Sequence, residues 1–193
     1  MIRDALTIRA ANLADAAILP AIERSAALLF EDVAGSEALV GRPVIDQATH
    51  ARWMGESAYL VAEWRQRKRV GFLAARPGGA GALTIIELSV RRAFQRRGIG
   101  RALLERCLAD ARSRRIGEVW LQTDLTFPWD AAFYLSMGFE VAGPPALSSR
   151  VQLAARDDPR SASLSGRNRE WMVCRLSQGA DDAMIQTSTA QRA

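Results

Sequence analysis

The chain is poor in the residues that most often carry metal and triad chemistry. It has one histidine, His50, and two cysteines, Cys107 and Cys174, far apart among 193 residues. A lone histidine argues against a His-based metal site or a Ser-His-Asp triad, and no metal is expected. Two distant cysteines give no disulfide framework. They read as small packing residues in a reduced, cytoplasmic setting. No apolar run approaches the roughly 20 residues that a membrane-spanning helix requires. The start, Met1-Ile2-Arg3-Asp4, lacks the long apolar core of a secretory signal, so no membrane partner is expected. There is no internal repeat, and aromatic residues make up only 7%.

Lysine is scarce: the basic residues, 26 against 21 acidic, are almost all arginine, for a net charge of +5. The arginines are spread along the chain with little aromatic stacking surface between them. We read compositional bias plus an anionic ligand rather than a nucleic-acid interface. What is plentiful is apolar residue, 49% of the chain, enough for one globular domain over 1–177. Residues 178–193 hold little that could form a core and read as a disordered tail.

The most informative stretch is Gln95-Arg96-Arg97-Gly98-Ile99-Gly100-Arg101. It lies between a strand-like apolar run, 83–90, and an amphipathic helical run, 102–116. A glycine-bearing turn that opens a helix offers free backbone N–H groups, and the helix dipole favours negative charge there. The ligand it suits is a phosphate or pyrophosphate.

Around this turn the pattern alternates. Residues 6–9 read as a strand. A helix carrying Ile18, Ile22, Ala26 and Leu29 follows, with Pro20 either in its first turn or kinking it. Residues 31–46 read as irregular and 46–55 as a short helix, with His50 on its surface. Residues 58–64 and 70–75 form a hairpin about the charged turn 65–69. Residues 82–90 are the next strand. Leu103, Leu104, Cys107, Leu108 and Ala111 stripe the following helix, and Gly117 caps it. Then come a strand over 118–123, a helix from Pro128 to about Met137, a short strand over 139–142, a small helix near 147–155, and a last strand over 171–176. The class is α/β (α+β) about a mixed sheet.

Glu87-Leu88-Ser89-Val90, then Gln95-x-x-Gly98-x-Gly100 and a helix, resembles motif A of the GCN5-related N-acetyltransferases (GNAT). Ala131-Ala132-Phe133-Tyr134-Leu135-Ser136-Met137-Gly138-Phe139 resembles the family's motif B, in the family's order and spacing. The resemblance implies a mostly antiparallel sheet splayed between its fourth and fifth strands, here 82–90 and 118–123, with acetyl-CoA in the splay. It implies an acetyl-CoA-dependent N-acetyltransferase acting on the primary amine of a small molecule by direct attack in a ternary complex. A protein lysine or N-terminal acetyltransferase and a non-catalytic CoA-sensing module are the alternatives. The family allows a homodimer.

Roles follow residue by residue. The amides of Arg96, Arg97, Gly98, Ile99, Gly100 and Arg101, with Gln95, would cradle the pyrophosphate. The backbone of Leu88 and Val90 would pair with the pantetheine arm, Leu88 N–H serving as the oxyanion donor. Tyr134 would protonate the departing thiolate. Glu87 is the candidate base or amine-orienting carboxylate, although strand alternation puts it opposite Leu88. Thr84 stands where some relatives place a base and cannot act as one. Asp130 replaces a common asparagine that holds the cofactor arm; it keeps an acceptor and loses the amide donors. Phe30, Glu31, Asp32 and Trp53 fall in segments that wall the acceptor pocket in the family. Cys107 belongs to the core stripe and has no base partner.

Overall fold

A computed structural model describes residues 5–31, 33, 36–55, 57–65, 68–78, 81–142, 158, 160 and 169–177. Asp32, the proposed helix near 147–155 and the 178–193 tail lie outside the described residues.

Seven strands form one sheet: β1 (Leu6–Ala10), β2 (Ala58–Trp64), β3 (Lys68–Pro77), β4 (Ala82–Val90), β5 (Glu118–Asp124), β6 (Glu140–Ala142) and β7 (Arg169–Arg175). Their order is β1-β2-β3-β4-β5-β7-β6. Among the described residues only β4 and β5 are parallel; every other neighbour is antiparallel. The parallel pair needs a crossover, and α4 (Ile99–Ser113) supplies it. Its buried stripe is Ile99, Leu103, Leu104, Cys107, Leu108 and Ala111. Each large apolar side chain there contributes roughly 1.5–3 kcal/mol on burial. Leu73, Leu83, Ile85, Val119, Leu121 and Met172 meet that stripe from the sheet.

The other face of the sheet is covered by α1 (Leu19–Ala27) and α3 (Gln47–Met54), whose Leu19, Ile22 and Trp53 pack on Tyr59, Val61 and Phe72. Of the two readings of Pro20, the late start is the one adopted: it sits in the first turn of α1, where its missing N–H costs nothing. The segment read as irregular contains a one-turn helix, α2 (Glu37–Val40). A further helix, α5 (Pro128–Leu135), follows β5. His50 is not on the surface. It is fully buried in α3 between the rings of Tyr59 and Phe72, and burial holds its pKa down to about 4. The polar look of Gln47–Met54 hid the one face that packs.

The register of β3 and β4 slips by one residue, between Ala74–Glu87 and Ala75–Ile85. Ile86 is therefore an extra residue, a β-bulge, and the side-chain alternation resets across it. Leu83, Ile85, Leu88 and Val90 all face the α4 side, while Ile86 packs towards α1.

Candidate active site

β4 and β5 pair over only three positions, Ala82–Glu118 to Thr84–Trp120. Beyond Thr84 they part: β5 stays paired with β7 on its far side and β4 with β3 on its own. The edge of β4 from Ile85 to Val90 is thus unpaired on the β5 side. Hydrogen-bond phase says which amides face the gap. Arg91 N–H donates to Val70 O at 2.8 Å. Bonded pairs alternate along an antiparallel ladder, so Ser89–Phe72 and Glu87–Ala74 are bonded pairs too. The N–H groups of Leu88 and Val90 turn away from β3, into the gap.

The glycine turn stands at the wide end of this gap. Gly98 caps α4 with φ +77°, and Arg96 is also left-handed at φ +59°. Left-handed residues in such a turn direct successive amides to one side, a concavity suited to an anion. The first intrahelical bond runs from Ala102 N–H to Gly98 O at 3.0 Å. The amides of Arg96 to Arg101 precede it and make no backbone hydrogen bond among the described residues. They fit a diphosphate.

The side chains of this turn do less than its backbone. Gln95 Nε2 donates to Val90 O at 3.0 Å and to Ala26 O at 3.3 Å, stapling the turn to β4 and α1. Ile99 is buried in the core, and Arg97 lies over the Phe94 ring, outside the cavity lining. Arg101 reaches across to α5, donating to Ser136 Oγ at 3.0 Å.

A cavity of about 930 Å³ joins the turn to the gap and continues onto the α1 face. Leu88, Val90, Gly98, Gly100, Asp130 and Tyr134 all line it, so the two sequence motifs converge. Tyr134 and Asp130 are one turn apart on α5. The Tyr134 ring meets Phe133 and Phe139 edge-on, and its hydroxyl makes no hydrogen bond to the described residues. Burial, then Asp130 and Glu87, pushes its pKa up, so it carries its proton at neutral pH. Burial, Asp124 and Glu87 likewise raise the Asp130 carboxyl to about 6.

Glu87 lines the cavity but is not poised as a base. Its carboxylate takes the Ser89 hydroxyl at 2.6 Å, the Arg160 guanidinium in close contact, and Arg42 at 3.4 Å. Burial alone would raise its pKa; Arg42 and Arg160 hold it well below the usual range. A carboxylate so held has little appetite for a proton. Glu23 of α1 completes the network, 3.0 Å from Arg160 and accepting from Ile45 N–H at 3.1 Å. Two acceptor-pocket expectations also fail. Trp53 is only 1% exposed, a core residue with Arg76 4.6 Å over its ring, and Glu31 is exposed and does not line the cavity. Tryptophan area drives it inward, and the 3₁₀ turn of Leu28–Phe30 swings Glu31 out. Phe30 does line the cavity, its ring 5.0 Å from that of Phe127.

Sequence reasoning missed Arg42, Phe127, Arg160 and Arg169. The one available signal was arginine in the two unassigned connections flanking the motifs. Cys107 is buried and its thiol is pushed up to about 12, far from a nucleophile. Among the described residues no cluster could hold a metal ion, and no helix is long and apolar enough to cross a membrane.

Comparison with known proteins agrees with this geometry. Residues 55–141 match the family model described as acetyltransferase (GNAT) domain. Among solved structures, the ribosomal-protein-S18-alanine N-acetyltransferase from Escherichia coli superposes with a TM-score of 0.65 at 18% identity, covering 92% of this chain and 97% of that one. The protein yncA from Salmonella typhimurium, solved with its cofactor acetyl-CoA, gives 0.63 at 21% identity over 91% and 96%. The paia N-acetyltransferase from Thermoplasma acidophilum, solved with coenzyme A, gives 0.65 at 14% identity over 89% and 99%. At these identities the likeness is one of fold.

Proposed function

We propose, from the premise that this chain carries a GNAT acetyltransferase domain, that it moves an acetyl group from acetyl-CoA to the primary amine of a small molecule. The observation that carries the reading is the run of unbonded amides from Arg96 to Arg101 opening onto the unpaired edge of β4. These groups suit the coenzyme in kind: a nest of N–H donors for a diphosphate, and strand-edge amides for an amide-bearing arm. When bound, acetyl-CoA supplies a thioester whose C–S bond breaks as the amine nitrogen forms a C–N bond.

The chain's own residues then have separable tasks. The turn at Gly98 and the strand edge fix position, which accounts for much of the rate. Leu88 N–H is aimed at the place where negative charge develops on oxygen. Tyr134, kept protonated, gives its proton to the sulfur and regains one from solvent. Asp130, raised to about 6 yet ionised at neutral pH, takes the proton that the nitrogen loses. Glu87 shapes the floor through Arg160 and does not exchange protons. Phe30, Leu39, Arg42 and Phe127 wall the acceptor end, which favours a small amine over a polypeptide end.

The test is release of CoA thiol over a panel of amines. Turnover with a small amine, and none with peptides, supports the reading. CoA binding without turnover of any amine would favour a sensing module instead.

A further inference from the structure

Resting on that reading, we propose that the acceptor is an amino-carboxylate. Its amine lies at Asp130 and Tyr134, its carboxylate is held by Arg169 with Arg42 near by, and its apolar part lies against Phe30 and Phe127.

Strand alternation fixes which face carries these groups. Val119 and Leu121 of β5, and Met172 and Cys174 of β7, pack towards α4, while Trp120 and Val173 pack on the opposite side of the sheet. Gln122, Asp124 and Arg169 therefore share the face of Glu87, the side covered by α1. Arg169 lines the cavity there, part-buried. A guanidinium has five donors. Among the described residues Arg169 makes one hydrogen bond, Nη2 to Gln122 O at 3.0 Å, and has no carboxylate within ion-pair range.

The contrast with Arg160 is instructive. Arg160 is saturated by Glu23, Glu87, Asp158 and the Ile86 carbonyl. Arg42 is only loosely engaged, 3.4 Å from Glu87 and 3.7 Å from Glu23, and its buried Nε has no partner among the described residues. Burial and the cations Arg160 and Arg42 lower the pKa of Arg169; the carboxylates of Glu87 and Asp158 weigh less. The field at Arg169 is thus net positive in a partly dry site, a receptor for an anion.

The other end of the site has the opposite character. Asp130 is part-buried, with no arginine bonded to it among the described residues, and the Tyr134 hydroxyl feels both Asp130 and Arg169. A molecule with an ammonium and a carboxylate matches both ends, and the tilted Phe30–Phe127 pair offers an apolar surface to its side chain.

The test compares free apolar amino acids (leucine, methionine, phenylalanine) with their primary carboxamides, as acetyl acceptors and as ligands in calorimetric titration of CoA-saturated protein. The expected result is a preference of at least tenfold for the free acids in kcat/KM and in affinity. In Arg169→Gln that preference falls to about one, while the affinity for CoA is unchanged. Carboxamides that serve equally well, or an Arg169→Gln protein that keeps the preference, overturn the inference and leave the transferase reading standing. Loss of CoA affinity in Arg169→Gln also overturns it, because Arg169 would then serve the coenzyme. Failure of every amine overturns both.

Discussion

Tyr134, Asp130 and Glu87 lie round one cavity, and their surroundings divide the work among them. The Tyr134 hydroxyl donates to none of the described residues, so it is available to a ligand. Tyr134→Phe should lower kcat by about 10²–10⁴ with CoA affinity intact, checked by steady-state kinetics and calorimetry. For Asp130 the sign is set by burial and by Asp124 and Glu87, with Arg42 opposing. Activity should rise with pH through about 6, and Asp130→Asn should abolish that limb of the kcat/KM profile. Its folded pKa is raised above the unfolded value, so the folded state binds the extra proton. Stability is then lost as pH rises from about 4 to 6, and Asp130→Asn should recover on the order of 2 kcal/mol at pH 7, read by urea unfolding. Glu87 illustrates what a sequence cannot show. Its position on β4 and its opposition to Leu88 could be reasoned from alternation. Its partner Arg160 lies 73 residues away, and only the fold reveals that the charge is already spoken for.

At the scale of elements, the turn and the bulge matter most. Gly98 sits at φ +77° with open space where a Cβ would stand, so the conformation, not a clash, demands glycine. Gly98→Ala should cost about 1–2 kcal/mol of stability and weaken CoA more than tenfold as the amides rotate away, read by thermal melts and titration. The buried ion network joins α1, β4 and Arg160. Arg160→Met should destabilise by about 3–5 kcal/mol, because Glu23 and Glu87 would be left facing each other without their shared cation; urea unfolding measures it. Most elements were legible because their periodicities are long and clean: the stripe from Leu103 to Ala111, the aliphatic run of β4, the hairpin of β2 and β3. What was not legible was short or unpatterned. The four-residue helix Glu37–Val40 has too few turns to show a period, and the bulge at Ile86 leaves no mark in a run of aliphatic residues.

Across the whole molecule, the governing feature is a sheet that cannot close. α4 forces β4 and β5 to run parallel. Their three-residue contact then leaves a cleft whose floor is strand edge and whose mouth is a helix N-terminus. Both motifs pointed to this cleft from the sequence; of the residues walling its other half only Phe30 did, because Arg42, Phe127 and Arg169 stand one at a time on segments without pattern. Ligand that binds only the folded chain must stabilise it. At a hundredfold excess over Kd the gain is about 2.7 kcal/mol, and CoA should raise Tm by roughly 5–10 °C. The most direct measurement is calorimetric titration of the protein with CoA beside its phosphate-free pantetheine fragment. The account predicts one saturable site for CoA and binding at least a hundredfold weaker for the fragment, since the diphosphate grip at Gly98 is missing. No heat with CoA, or equal affinity for both, would contradict it.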